Sequence, residues 1–535
     1  FAQVAAPQTA DDRTITDCST MPRDSLIVNI FICIFSLSIL ALPHTVVVAA
    51  GFHKTVLPQA LADQYKAYCL DGSLPSYYYS PASTAATNNS WVIYFMGGAF
   101  CPTPDACVNR STTNLGSSTL IPDTYSFSGM LDSNSTVNPG FSSFHRVHIN
   151  YCDGFFFTGN RTGTLNVNGV DLHFRGRAIV EAVFQHLIHE KTSPNLSTAT
   201  EVLLGGGSAG GIACFLYADY VRNILSHVPK FKAAPVSGFF LRIPELTGSV
   251  LGNQVFDYAK TFQAAVITTL CTNNIPKYEC WSMASTYRYV SVPIFVINSA
   301  YDHYALRAWA KDSELAGGCL NDTLDFTRCT TNQVRDLNKW YTIFKQNLTS
   351  SPKFTANGNG AFIESCLEHV AAESAGPYMH YVLNDTSLRN ALWAWWESDN
   401  QPAASHTFMP CELSLTAPHQ CQPSCAFDML PPAPQPTPQP THQDDFKTRV
   451  ADYDIIVLII CAAVAGVSIM FIGVRLWLNS LSNQDDERVV NSQPARRKDE
   501  EHGTAAASST GGRYAELGEG NSAPFDYSEM KDTAL

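Results

Sequence analysis

A serine set among glycines constrains this chain more than any other feature. The apolar run Val202-Leu203-Leu204 leads into Gly205-Gly206-Gly207-Ser208-Ala209-Gly210-Gly211, and a helical pattern follows. This is a G-x-S-x-G turn in its required context, because a strand and a helix can meet this sharply only where the flanking residues are very small. A flexible glycine loop is the simpler alternative, and a phosphate-binding loop is disfavoured because no Lys-Ser/Thr pair follows the glycines. The pattern predicts a nucleophile at Ser208.

Short apolar runs alternate with helical patterns along the chain. Strand-like runs occupy Trp91–Phe95, Val147–Tyr151, Val202–Leu204 and Val292–Ile297, and helical spacing occupies Phe174–Glu190 and Gly211–Leu225. Continuous apolar runs of this length are typical of buried parallel strands, and their alternation with helices indicates the α/β class. We therefore expect an α/β-hydrolase-like fold with a central, mainly parallel sheet flanked by helices.

A nucleophilic serine needs a histidine to take its proton and an acid to orient that histidine. Asp302 follows the predicted strand Val292–Ile297 and is the acid candidate, although an aspartate there could equally cap the next helix. His369, His380 and His406 follow further on, and spacing alone does not choose among them. The proposed oxyanion donors are backbone N–H groups, which we place at Gly98, Ala99 and Ala209.

Cysteines and glycosylation sequons share one segment. Thirteen of the 16 cysteines lie between Cys69 and Cys425, and so do all eight N-x-S/T sequons. This combination indicates an oxidising, glycosylating compartment. The sequons begin at Asn88, Asn109, Asn134, Asn160, Asn195, Asn321, Asn347 and Asn384.

The N-terminal segment has the pattern of a signal peptide. Met21 is the first plausible start, an apolar run extends from Leu26 to Leu42, and the small residues Val48-Ala49-Ala50 suit cleavage near Ala50. We therefore set residues 1–50 apart from the hydrolase domain, which we place at 51–425. An uncleaved signal anchor is the alternative.

The C-terminal part predicts a membrane anchor. Residues 455–474 carry no charged side chain, and at about 1.5 Å per residue they span a hydrocarbon layer of ~30 Å. A buried core helix, the alternative, rarely stays apolar on all its faces. A Pro-rich stalk (426–454) precedes this single transmembrane helix, and a disordered tail (475–535) with flanking basic residues follows it, which predicts a cytosolic C-terminus. We expect a single-pass type I protein of the secretory or endosomal pathway or the cell surface, with its catalytic domain luminal or extracellular.

Charge argues against one class of partner, and short motifs predict another. A formal net charge of −13 without a basic cluster excludes a nucleic-acid partner. In the tail, Tyr514-Ala515-Glu516-Leu517 and Tyr527-Ser528-Glu529-Met530 each place a bulky apolar residue three positions after a tyrosine. Such a segment fits a sorting adaptor that binds it in extended form, although one match can arise by chance. If such an adaptor carries the enzyme through endosomes, we expect an acidic pH optimum.

The ordered motifs between residues 65 and 425 resemble the pectin acetylesterase family, which includes plant wall esterases and the animal Wnt deacylase Notum. They begin with Tyr68–Ser73, Gly97-Gly98 before Phe100-Cys101, Arg110 with Leu115–Ser118, and Tyr151–Gly154. They continue with Gly206–Gly211, Asn298–Asp302, Ser365–His369 and Cys421–Cys425. Details of Leu115–Ser118 and Tyr151–Gly154 resemble the plant enzymes more than Notum.

The resemblance implies site residues and disulfides. It implies a triad of Ser208, Asp302 and His369, which raises His369 above the other histidines, and it implies the disulfides Cys69–Cys152, Cys101–Cys107 and Cys319–Cys329. The first of these closes a long loop, so by chain entropy it contributes about 4 kcal/mol. Three acidic positions of the family are replaced here by Met96, Val236 and Arg242, which alters the pocket wall.

Together these features predict a serine carboxylesterase that needs no metal or cofactor. The expected substrate is an acylated polysaccharide or glycoconjugate, with acetyl as the expected acyl group. A deacylase of a lipidated protein is the alternative enzyme. A catalytically idle adhesion or binding ectodomain is the alternative from another class, because one fold hosts many functions.

Overall fold

The structure, a computed structural model, describes residues 51–189, 195–267, 269–311, 313, 315, 318, 329–399, 401–410 and 422–425. The predicted signal peptide, stalk, transmembrane span and tail lie outside these ranges. Within the described ranges, no helix combines the length and the apolar character needed to cross a membrane.

The described residues form one large sheet and two small hairpins. In chain order the strands are β1 (Phe52–Val56), β2 (Ser76–Ser80), β3 (Ser90–Phe95), β4 (Thr124–Tyr125), β5 (His145–Ile149), β6 (Leu165–Val167), β7 (Val170–Leu172), β8 (Glu201–Gly207), β9 (Lys230–Val236), β10 (Phe295–Ser299), β11 (Gly360–Glu364), β12 (Val382–Leu383), β13 (Thr386–Ser387) and β14 (Thr407–Phe408). The sheet order is β14-β11-β10-β9-β8-β3-β5-β2-β1-β4. Pairing is parallel from β14 to β5 and antiparallel from β5 to β4. The mainly parallel sheet predicted from the sequence is therefore present.

Helices lie between the strands along the chain. They are α1 (Gln59–Tyr65), α2 (Pro104–Ser111), α3 (Gly176–His189), α4 (Ala209–Ile224), α5 (Leu251–Phe262), α6 (Cys271–Asn274), α7 (Met283–Tyr289), α8 (His303–Ala310), α9 (Thr331–Thr349), α10 (Pro352–Thr355), α11 (Ala375–His380) and α12 (Leu388–Glu397).

Alternate residues of the sheet enter two apolar clusters, one on each face. In β3, Trp91, Ile93 and Phe95 belong to the cluster that also contains residues of α3, α4 and α9. Val92 and Tyr94 belong to the cluster that contains residues of α11 and α12. Because successive strand side chains point to opposite faces, both faces are covered by helices, as continuous apolar runs require.

Two strand boundaries differ from the sequence prediction. The strand predicted over Val147–Tyr151 ends at Ile149, because Tyr151 leaves the ladder and its N–H donates to Sδ of Met96 at 3.5 Å. The strand predicted over Val292–Ile297 begins at Phe295, because Ile294 forms only an isolated bridge with Ala233.

The glycines before Ser208 were predicted to form the turn, but the structure places them in a strand. They continue β8, where Gly206 pairs with Phe95 of β3 and Gly207 pairs with Val236 of β9. The turn is therefore confined to the serine itself.

Disulfides tie the loops at the carboxyl ends of the strands. The structure joins Cys69 to Cys152 and Cys101 to Cys107, the two pairs that the family resemblance implied most directly. Cys329 is disulfide-bonded, whereas Cys319, its predicted partner, lies outside the described residues.

Two further disulfides were not predicted as pairs. They are Cys271–Cys280 and Cys366–Cys425, and the second fixes the loop that leads to His369. Cys214 is buried and is the free cysteine of the described residues, and burial raises the pKa of its thiol. This thiol is therefore unreactive in the folded state.

A non-reducing peptide digest should recover the four linked pairs Cys69–Cys152, Cys101–Cys107, Cys271–Cys280 and Cys366–Cys425. Iodoacetamide should label Cys214 only after unfolding, because its thiol is buried and protonated. The same digest after reduction is the control. Recovery of Cys366 linked to Cys411 or Cys421 would contradict the fold of the His369 loop.

Candidate active site

Ser208 lies at a strained turn between β8 and α4. Its φ of 54° and ψ of −118° are rare for a residue with a side chain, and its N–H donates to the carbonyl of Val236 at 2.9 Å. Ala209 begins the helix directly after it. The backbone thus has the form of a nucleophile elbow, in which the serine hydroxyl is held at the carboxyl end of the central strand.

The glycines around Ser208 are explained by close backbone contacts. A Cβ on Gly206 would overlap the carbonyl of Gly210, and a Cβ on Gly210 would overlap the carbonyl of Phe95. A Cβ on Gly211 would meet the Val236 carbonyl at 2.5 Å. Helix α4 can therefore approach the sheet only with glycine at these positions.

Asp302 and His369 lie together at the same edge of the sheet. Nδ1 of His369 lies 2.6 Å from Oδ2 of Asp302, and both side chains are buried. The other oxygen, Oδ1, accepts the N–H groups of Tyr304 and Ala305 at 3.1 Å and caps α8. One carboxylate oxygen thus contacts His369 while the other caps the helix, so the two roles considered for Asp302 are compatible in one side chain.

Backbone contacts bring His369 to the serine turn. Val370, the next residue, donates its N–H to Oγ of Ser237 at 2.8 Å, while Ser208 bonds to Val236. No hydrogen bond joins the Ser208 hydroxyl to His369 within the described region. Such contacts are often long without substrate and tighten in the reacting complex.

The electrostatic environment of His369 favours its protonated form. Burial alone lowers the pKa of the imidazole, but the charge and hydrogen bond of Asp302, together with the carboxyls of Glu373 and Glu368, outweigh burial and raise the pKa above its usual value. The ring also contacts Tyr304, with ring centroids 4.5 Å apart, and the edge of Phe240 at 6.4 Å.

The other two candidate histidines lie elsewhere. His380 is exposed at the end of α11. His406 precedes β14 and packs beside Gly360, at the amino end of β11. Since His369 follows the carboxyl end of β11, His406 lies at the opposite edge of the sheet and does not reach Ser208.

Backbone amides near Ser208 suit an anion. Gly98 has a φ of 139° and Ala99 a φ of 52°, in the loop that follows β3, and Ala209 is the first residue of α4. Within the described region these three N–H groups donate no hydrogen bond to the protein. A Cβ on Gly97 would lie 3.1 Å from Cβ of Ser208, so this loop and the serine turn are neighbours.

Sequence reasoning did not identify Glu373 and Ser237. Oε1 of Glu373 accepts the Tyr94 hydroxyl at 2.8 Å and fills the space that a Cβ on Gly207 would need. Ser237 has a φ of 46° and holds the His369 loop through Val370. Glu373 lies four residues after His369, and Ser237 directly follows β9. These positions were the signals that the sequence offered.

Two of the three departures from the family's acidic positions, Arg242 and Met96, have well-defined contacts. Arg242 forms a bidentate ion pair with Asp257 of α5, at 3.0 and 2.9 Å, and lies over the ring of Phe256. Met96 is partly buried and accepts the Tyr151 N–H through its sulfur. The arginine charge is thus paired within the chain, and Lys260 shares the same carboxylate at 2.8 Å.

Comparison with known proteins identifies relatives among esterases. The Pectinacetylesterase family model matches residues 51–425. Pectin acetylesterase 11 of Arabidopsis thaliana is 29% identical over 387 residues, which cover 70% of this chain and 89% of the plant protein. Palmitoleoyl-protein carboxylesterase NOTUM of Schmidtea mediterranea is 25% identical over 345 residues, covering 61% of this chain and 60% of that protein.

A solved structure is similar in fold. The Wnt deacylase Notum from Drosophila superposes with a TM-score of 0.57 at 20% identity, over 69% of this chain and 99% of the Drosophila chain. The match supports the α/β-hydrolase architecture expected from the strand and helix pattern. From the family model, the relatives and this fold together, the chain belongs to the pectin acetylesterase family of carboxylic ester hydrolases.

Proposed function

We propose that this protein is a serine carboxylesterase that removes acetyl groups from a polysaccharide or glycoconjugate. The observation that carries the proposal is the 2.6 Å contact between His369 and Asp302, placed beside a serine in elbow geometry. The similarity to plant pectin acetylesterases supports the choice of acetyl and glycan.

The proposed reaction uses Ser208, His369 and Asp302 in succession. The Ser208 hydroxyl attacks the ester carbonyl carbon while Nε2 of His369 takes its proton. Asp302 holds Nδ1–H, which leaves Nε2 free to act as the base and stabilises the imidazolium that forms. The protonated His369 then gives its proton to the leaving alcohol oxygen, and an acyl-serine remains. Water, deprotonated by His369, releases the acid and restores the serine.

The developing oxyanion would be held by the N–H groups of Gly98, Ala99 and Ala209. Their lack of other acceptors supports this assignment, because such donors are already oriented and need no reorganisation during the reaction. Since Ala209 begins α4, the positive end of the helix dipole lies at the same place.

An alternative substrate is a lipidated protein, since the Notum relatives are palmitoleoyl-protein carboxylesterases. The observation that favours it is a group of partly buried aromatic rings, with Phe240 beside His369 and Phe100 beside Phe256.

Purified ectodomain should be assayed on nitrophenyl esters from acetate to palmitate, and then on acetylated pectin and a palmitoleoylated peptide. Preference for acetate and release of acetate from the glycan support our proposal, whereas preference for long chains favours the alternative.

We also propose that the hydrolase domain is luminal or extracellular, N-glycosylated and held to a membrane by residues 455–474. Asn88, Asn109, Asn134 and Asn384 are exposed, and Asn160, Asn195 and Asn347 are partly exposed, which supports glycosylation. Asn321 lies outside the described residues. The disulfides support an oxidising compartment. The membrane helix and the sorting adaptor rest on the sequence pattern alone.

Replacing Ser208 by alanine should reduce hydrolysis of nitrophenyl acetate by about 10⁴-fold or more, and His369→Ala should be nearly as damaging. His380→Ala and His406→Ala are the matched controls and should stay within about threefold of wild type, because neither reaches Ser208. Circular dichroism should show all four variants folded. An unchanged turnover in Ser208→Ala, or an essential His380 or His406, would refute the proposed site.

The pH profile should show an acid limb set by His369. Only the neutral imidazole can act as base, and its folded pKa is raised, so kcat/KM should be lost as the pH falls through an apparent pKa above the usual value of about 6.5. Asp302→Asn removes the charge that raises this pKa, so its acid limb should move to lower pH. The raised pKa of His369 therefore argues against the acidic pH optimum that would suit an endosomal enzyme. A wild-type acid limb below about pH 6 would contradict the electrostatic account.

A further inference from the structure

A buried arginine holds the loop that carries two of the proposed oxyanion donors. Arg110 of α2 donates from Nη2 to the carbonyl of Gly98 at 2.6 Å and from Nε to the carbonyl of Leu115 at 3.2 Å. Its guanidinium carbon lies 4.9 Å from the centre of the Tyr151 ring. Only 9% of the residue is exposed. The guanidinium is therefore held by two carbonyl groups and one aromatic ring.

Tyr151 holds the next peptide of the same loop. Its hydroxyl donates to the carbonyl of Ala99 at 2.8 Å and accepts the N–H of Phe156 at 2.7 Å. The ring is fully buried and contacts the loop, because a Cβ on Gly98 would lie 3.2 Å from Cδ1 of Tyr151. Two consecutive carbonyls, those of Gly98 and Ala99, are thus each bound by a buried side chain.

Because each peptide group is planar, a contact that fixes its carbonyl also fixes the direction of its N–H. The carbonyl of Gly98 and the N–H of Ala99 belong to one planar trans peptide and point in opposite directions. When Arg110 fixes the carbonyl, it directs the Ala99 N–H away from itself. Tyr151 holds the next carbonyl, that of Ala99, so it anchors the Ala99 backbone on its other side.

The loop needs this support because its backbone is strained. Ala99 has a φ of 52°, which is unfavourable for a residue with a side chain and persists only where the surroundings enforce it. The Arg110 charge also polarises the peptide it binds, which strengthens the N–H at the other end as a donor.

We propose that Arg110 is a positioning residue that orients the Ala99 N–H toward the proposed oxyanion and strengthens it as a donor by its charge, and that Tyr151 is a positioning residue that supports this orientation by holding the Ala99 carbonyl. This inference rests on the proposed esterase function. It also accounts for a motif that the triad leaves unexplained, since Leu115 accepts a bond from Arg110 and a Cβ on Gly116 would overlap the Arg110 carbonyl.

The central experiment compares Arg110→Met with Arg146→Met. Arg146 is a matched control: it is buried, donates to the carbonyl of Leu131 at 3.2 Å and to Oγ of Ser80 at 2.8 Å, and lies over the ring of Phe52 at 5.2 Å, away from the site. Arg110→Met should lower kcat on nitrophenyl acetate about 100-fold while KM changes by less than about threefold. Arg146→Met should keep kcat within about threefold of wild type.

Milder variants keep the test decisive if Arg110→Met does not fold. Tyr151→Phe removes one hydroxyl and should lower kcat by about tenfold. Its matched control is Tyr217→Phe, since the Tyr217 hydroxyl is also buried and donates to a carbonyl, that of Phe157, at 2.6 Å. Arg110→Lys retains the charge with a single donor group and should retain more activity than Arg110→Met.

A boronic acid separates orientation of the amides from general loss of structure. Phenylboronic acid forms a tetrahedral adduct with a reactive serine, so its affinity should fall in Arg110→Met by about the same factor as kcat. Equal losses in the Arg110 and Arg146 variants, or a rise in KM alone, would overturn this inference. A wild-type enzyme without esterase activity would overturn the proposed function together with it. Active wild type with an unaffected Arg110→Met would overturn the positioning role alone.

Discussion

The close contact between helix α4 and strand β8 is the constraint on which the rest of the site depends. Carbonyl groups of Phe95, Gly210 and Val236 occupy the space where side chains at Gly210, Gly206 and Gly211 would lie. Without side chains there, the helix begins immediately after the strand and its first amide lies beside Ser208. The strained turn of Ser208 is thus enforced by backbone of the neighbouring strands β3 and β9, which is how such strain is retained in a stable protein.

Asp302 is one buried carboxylate that both caps a helix and contacts the histidine of the proposed triad. One oxygen caps helix α8 and the other contacts His369, so the carboxylate has partners on both sides. A buried carboxylate is stable only when it is paired and hydrogen-bonded in this way. Because the helix cap fixes the carboxylate, the histidine is oriented by a rigid element rather than by a mobile loop.

The loop after β3 depends on a second set of buried contacts. Arg110 and Tyr151 bind its carbonyl groups from the side away from the proposed oxyanion, and the disulfide Cys101–Cys107 closes the segment between loop and helix α2. The serine turn, the histidine loop and this loop are each held by contacts outside the triad. The geometry of the proposed site is therefore set by residues outside the proposed triad.

The sequence by itself determined the features that depend on neighbouring residues. The elbow at Ser208, the alternation of strands and helices, and the position of Asp302 after a strand all follow from local pattern, and ordered motifs resembling the pectin acetylesterases pointed to His369. Only the tertiary structure decided that His406 lies at the far edge of the sheet, that Cys366 pairs with Cys425, and that Glu373 fills the space beside Gly207. It also decided that Arg110 faces Gly98. These pairings join residues far apart in the chain, and their contacts form only when parallel strands bring the carboxyl ends of β3, β8, β10 and β11 to one edge of the sheet.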